Sequence, residues 1–160
     1  VRISGSNRIK KTSEGYIVDP GDGKTATITV SAQMPDGSNK SLPGAEFRVK
    51  RIPDPVPVVA GKKPSDRTIK KTDLVNVPSV GARMENFDFD VQVRVKSFAI
   101  SVSRGGNLVE KSSPTNRITD DMKALFKTCN RGSVVYIEDI FVKMPDGTER
   151  AVAPLKLKVI

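Results

Sequence analysis

The residue types that carry most enzymatic and metal chemistry are scarce in this sequence. It has no histidine, which removes Ser-His-Asp and Cys-His nucleophilic catalysis, His-ligated zinc and the usual proton shuttle near neutral pH. Its one cysteine, Cys129, has no partner for an internal disulfide or a thiolate metal pair. It shares an apolar stripe with Met122, Leu125 and Phe126, the place of a buried small hydrophobe rather than a nucleophile. Carboxylates are plentiful but badly placed for chemistry. Glu138 and Asp139 are neighbours on a β run and point to opposite faces, so they cannot act as a pair without a bulge. Asp88 and Asp90 share a face beside Arg94, where they form a surface charge ladder. Asp19-Pro20-Gly21-Asp22-Gly23 opens like a calcium loop but lacks the later ligands and the terminal Glu. Gly105-Gly106 has no phosphate-loop continuation. No catalytic residue, cofactor or metal site is expected, and the chain is not expected to be an enzyme.

What remains is charge. The formal net charge is +9, a balance that favours nucleic acid, anionic lipid or an acidic protein partner. Arg48, Lys50, Arg94, Lys96, Lys156 and Lys158 each alternate with apolar residues, as on a solvated strand face. Doublets at Lys10-Lys11, Lys62-Lys63 and Lys70-Lys71 weight the basic excess toward the first half. A nucleic-acid surface needs stacking aromatics among its cations. With two Tyr, six Phe and no Trp, and most Phe on inward faces, no nucleic acid is expected.

These residues must be positioned by a mainly all-β chain. Hydrophobic content is 37% with few aromatics, so the core is built largely from Val, Ile and Leu in alternating runs. Ala26, Ile28, Val30 and Ala32 face one way and Thr25, Thr27, Thr29 and Ser31 the other, a half-buried strand. Phe87, Phe89, Val91, Val93 and Val95 line one face, then the apolar parity changes to Phe98, Ile100 and Val102. A bulge near Ser97 accounts for the switch. Thr119-Asp120-Asp121 reads as a capped helix start, with Gly132 as its stop, giving one helix over about 120–129. Ile69 to Val80 reads as a short strand or packed loop. Prolines at 53, 55 and 57 block a central strand and favour an extended, stiff connector. The longest apolar runs fall far short of the ~20 residues that a membrane span needs. The start at Val1 reads as a piece of something longer.

One motif occurs twice. Met34-Pro35-Asp36-Gly37 returns as Met144-Pro145-Asp146-Gly147. At the same offset Lys40 meets Arg150, Leu42 meets Val152, Phe47 meets Leu157 and Val49 meets Val159. Both copies follow an apolar-rich β run. The simple reading is two related modules, each closed by an equivalent hairpin.

Longer stretches resemble the GldM/PorM family: Ala45-Glu46-Phe47-Arg48-Val49-Lys50-Arg51-Ile52-Pro53-Asp54-Pro55, Glu85-Asn86-Phe87-Asp88-Phe89-Asp90, Val135-Tyr136-Ile137-Glu138-Asp139-Ile140 and the closing Pro-Asp-Gly hairpin. The likeness runs from about Ser4 to Ile160, and the basic, histidine-free sequence is closer to the PorM branch. The resemblance implies a structural subunit of the type IX secretion and gliding-motility machinery of the Bacteroidetes. It implies two tandem immunoglobulin-like β-sandwich domains. Residues 1–61 are expected to form a domain short of its first strand and ending in the proline-rich connector, and residues 62–160 a C-terminal domain carrying the helix.

The same resemblance implies a homodimer in the periplasm, with Ile160 as its natural C-terminus. The full-length protein would be anchored in the inner membrane and would meet a PorL-type motor partner through an N-terminal region outside this chain. The distal module would touch an outer-membrane ring of PorK and PorN type, passing on energy from a proton-driven motor. Arg104, Lys111 and Arg117 are expected to form part of that contact. A reading from another class stays open: an extracellular adhesin or carbohydrate-binding tandem β-sandwich module. It needs exposed aromatic platforms, of which the sequence offers few.

Overall fold

A computed structural model of the chain describes residues 2–3, 8–21, 23–87, 91–104 and 106–160. Both of its units, Val1–Ile52 and Pro53–Ile160, are built mainly from strands, the all-β tandem-sandwich class read from the sequence.

The first unit holds β1 (Arg2–Ile3), β2 (Arg8–Thr12), β3 (Gly15–Asp19), β4 (Thr25–Thr29), β5 (Ser31–Gln33), β6 (Asn39–Ser41) and β7 (Ala45–Arg48). β4 is the middle strand of an antiparallel sheet β1-β4-β7, while β2-β3 and β5-β6 form separate hairpins. The alternation in β4 sets Ala26 opposite Phe47 and Ile28 opposite Ala45, giving one apolar face. Among the described residues of this unit, Ala26 alone is a fully buried apolar side chain, and Phe47 is 53% exposed.

The second unit holds β8 (Val56–Val59), β9 (Thr68–Ile69), α1 (Lys71–Asn76), β10 (Val80–Arg83), β11 (Arg94–Arg104), β12 (Asn107–Ser113), α2 (Asp120–Lys127), β13 (Val134–Lys143), β14 (Glu149–Ala151) and β15 (Leu155–Val159). Its main sheet runs β12-β11-β13-β15-β9, with β14 also on β13. Among the described residues only the β15–β9 pairing is parallel. Strict alternation in β15 buries Leu155, Leu157 and Val159 and exposes Lys156 and Lys158. The elements left to cover the buried face are the β8-β10 ladder and the two helices. Their Val59, Val80, Leu74, Met122 and Phe126 are all fully buried, each worth roughly 1.5–3 kcal/mol of transfer free energy.

Four expectations change. The second unit starts at Pro53 rather than at residue 62, because Val56–Val59 is not a free connector. It is a strand, paired antiparallel with β10 so that Pro57 faces Ala82. A proline fits there because β10 is the one strand partner of β8 among the described residues, and the bonds on the other side of β8 run from Val59 to Lys62 and leave Pro57 out. Among its described residues the unit has two helices rather than one. α1 spans six residues, buries Leu74, and ends before Pro78 with Val77 in an extended conformation, as a residue preceding proline prefers. At one and a half turns it is too short to show a period, and Val75 and Val77 read as strand residues. α2 ends at Lys127 rather than near 129. Its Thr119 Oγ1 accepts the Met122 N–H at 3.3 Å, a cap worth about 1 kcal/mol. The long strand begins at Arg94, not Phe87; Asp88–Asp90 lie outside the described residues.

The bulge expected near Ser97 is present and has a partner. β11 and β13 keep one register from Arg94↔Lys143 to Val95↔Val142, shift at Ser97↔Phe141, and recover the original register from Ala99↔Glu138 onward. Each strand carries one extra residue and the two cancel. On β11 the buried set passes from Val95 to Phe98, Ile100 and Val102; on β13 it passes from Val135 and Ile137 to Ile140 and Val142. The β13 bulge turns on Asp139, whose φ is +49°, a left-handed conformation that Asp tolerates and β-branched residues do not. Asp139→Val is therefore expected to destabilise the protein by about 1–2 kcal/mol. Asp139→Gly should leave the urea unfolding midpoint near that of the parent. Equal loss in both variants would mean that the carboxylate, not the backbone, is what the position requires.

Candidate partner interface

The three cations singled out in the sequence do not converge. Arg104 closes the β11–β12 hairpin opposite Asn107; its side chain lies outside the described residues. Lys111 sits opposite Ile100, four residues back from the tip, or about 13 Å at the rise of a strand. Its Nζ lies 3.7 Å from Asp121 Oδ2 in the first turn of α2. Both groups are well exposed, so this pair contributes at most about 1 kcal/mol. Arg117 lies beyond the far end of β12, in a segment whose backbone is pinned on both sides. Val80 N–H donates to Asn116 O at 2.8 Å, Ile118 N–H to Pro78 O at 3.0 Å, and Ser113 Oγ to Arg117 O at 2.9 Å. The three positions thus lie along and just beyond the β11–β12 hairpin at the end of the sheet rather than lining one pocket together; Arg117 itself lines a cleft, with Pro78, Ser113 and Asp120. Leu108 on β12 is 62% exposed.

The repeated motif folds the same way twice. Gly37 N–H donates to Met34 O at 2.9 Å and Met34 N–H to Ser38 O at 2.8 Å; Gly147 and Met144 make the matching bonds at 3.0 and 2.9 Å. Gly37 and Gly147 have φ of +81° and +82°, the position of a three-residue hairpin loop that favours glycine. Asp36 Oδ1 accepts from both the backbone N–H and the hydroxyl of Ser38, at 2.8 and 2.6 Å. Asp146 does the same with Thr148, again at 2.8 and 2.6 Å. Hydroxyl and backbone donors at residue 38 or 148 hold each carboxyl below its ordinary value of 3.8, with Arg150 helping at Asp146. Arg150 bridges Asp146 and Asp54 at 3.3 and 3.0 Å.

Other residues weighed for chemistry sit in structural settings. Cys129 is buried, its thiol near Leu125 O, and burial pushes its pKa up against the nearby charge of Lys71. Glu138 accepts a hydrogen bond from the buried Ser101 hydroxyl. Glu85 takes bonds from Arg83 and Lys63, which hold its carboxyl low, and Asn86 next to it has φ of +53°.

One grouping escaped sequence reasoning. Lys156 and Lys158 read as a plain solvated strand face. The parallel β9–β15 pairing adds Arg67 beside them, through Lys158 N–H donating to Arg67 O at 2.8 Å. Residues so far apart in the chain give no local signal of that adjacency.

A family model described as the GldM C-terminal domain matches residues 53–159, and one described as the GldM third domain matches residues 1–50. The gap between the two matches falls where the structure divides, at Ile52 and Pro53. No curated protein matches the chain.

The turn carries a pH signature. A carboxyl with a lowered folded pKa adds stability above its ordinary value of 3.8 that is lost as the pH falls through the lower, folded value. Acidification through that range should lower the parent's melting temperature, and Asp146→Ala should start lower and lose less. Gly147→Ala should cost about 1–2 kcal/mol at every pH. Thermal melts of the three proteins on either side of that range check both expectations.

Proposed function

The chain belongs to the GldM family, a family of gliding-motility and type IX secretion components, and on that premise we propose that it is a non-catalytic interaction part of this machinery. It works in the periplasm as a dimer and passes energy from a proton-driven inner-membrane motor toward an outer-membrane-associated ring of PorK and PorN type. An N-terminal region outside this chain anchors the whole protein in the inner membrane and meets a PorL-type partner. The observation that carries the reading is the match to the C-terminal domain of the family over residues 53–159, two-thirds of the chain.

The fold supports a role in assembly. An end strand with an exposed leucine, and a sheet face that carries cations on alternate residues, are surfaces that a partner can add to by strand pairing or charge. The full chain, run with purified ring proteins in analytical ultracentrifugation, is expected to sediment alone as a dimer and to shift to a larger complex when the ring is added. A monomer that leaves the ring's sedimentation unchanged would sink the reading.

A further inference from the structure

We propose that the outer face of the second unit, where β9, β15 and the start of β13 lie side by side, is a docking site for an extended acidic segment of a partner protein. This deepens the assembly reading above and rests on it for the presence of such a partner.

The site is a cleft of about 360 Å³. Val134, Lys158 and Thr68 stand in register across its three strands. Lys156 and Lys158 both project from this face, because the residues between and beside them are the buried Leu155, Leu157 and Val159. Two such residues on one strand stand about 6.6–6.8 Å apart. Arg67 adds a third cation one strand over. Among the described residues none of the three has an ion-pair partner. The one acid in the cleft wall, Asp66, accepts the Lys63 N–H at 2.9 Å and so serves its own turn. Lys156 Nζ lies 5.4 Å from the centroid of the Tyr136 ring, a cation–π contact that holds the side chain in place without neutralising it.

The spacing selects the occupant. An extended chain places alternate side chains on one face with the same period as β15. A segment with Asp or Glu at every second position therefore sets carboxylates against Lys156 and Lys158 together. An anionic membrane fits less well. The row that crosses this face through Lys156, Tyr136 and Ser101 ends at Glu110, and Glu138 bonds to Ser101. A plane of lipid phosphates would meet those carboxylates, whereas a single strand laid along β15 avoids them.

The test uses the full chain and two synthetic peptides of equal composition, Thr-Glu-Thr-Glu-Thr-Glu-Thr and Glu-Thr-Thr-Glu-Thr-Thr-Glu. In the second, neighbouring acids fall on opposite faces when extended. Fluorescence anisotropy should show tighter binding of the first, weakening with salt. The combined variant Arg67→Gln, Lys156→Gln, Lys158→Gln should lose about tenfold or more of that affinity with its melting temperature kept. Removing the same charge elsewhere, by Lys40→Gln, Lys50→Gln and Arg51→Gln, should leave binding intact. Equal affinity for the two peptides, no binding of either, equal loss in both variants, or tighter binding to phosphatidylglycerol vesicles than to the first peptide would overturn the proposal. The peptides keep this site separate from the wider reading. A chain that binds the ring but not the peptide loses the cleft and keeps the assembly role. A chain that binds the peptide through the cleft but not the ring keeps the cleft and loses the ring.

Discussion

Strand β13 is the constraint on which the second unit depends. It pairs with β11, β14 and β15 at once, so its register sets theirs. A strand that shifts by one residue turns every side chain to the wrong face. The sequence of β13 contains such a shift, between Ile137 and Ile140. Asp139 in a left-handed conformation absorbs it, and β11 answers with its own extra residue beside Ser97. The pairing resumes unchanged, and both halves of each strand bury their apolar side. One non-glycine residue with positive φ thus keeps a long two-strand ladder facing a single core.

The two copies of the Pro-Asp-Gly hairpin show how much a local motif determines. Turn bonds, glycine conformation and the flanking pairs Ser31↔Ser41 and Phe141↔Ala151 agree at every equivalent position. The strands they lead into diverge. Leu157 is fully buried, while Phe47, at the equivalent place, is more than half exposed. The turn is set by bonds among neighbours and repeats wherever its residues occur. Burial is set by what lies across the sheet, and among the described residues only the second unit has helices to supply it.

Charge follows the same division. The basic excess is spread along strands, and most of it meets solvent or a nearby carboxylate, as Lys96 does with Glu149 at 2.6 Å. Sheet order gathers three cations into a single cleft and leaves Arg104, Lys111 and Arg117 strung along an edge. A net charge of +9 is a statement about the whole surface. Recognition depends on which charges the topology leaves together and unpaired.

The sequence by itself determined the alternating strands at Thr25–Thr29 and Leu155–Val159, the capped helix after Thr119, the parity switch at Ser97, the repeated turn and the scarcity of catalytic side chains. Each is a local pattern, set by residues within a few positions of one another. Tertiary structure decided the rest. Prolines at 55 and 57 favour an extended chain, but only the β10 partner makes that segment a strand and moves the division between units to Pro53. Leu74 is compatible with loop, strand or helix until its burial selects α1. The pairing of Thr68 with Lys158 joins distant segments, so no reading of nearby residues places Arg67 beside Lys156 and Lys158. Long-range pairing is enforced by burying the other face of the sheet, a free energy that belongs to the folded unit and to no short stretch of it.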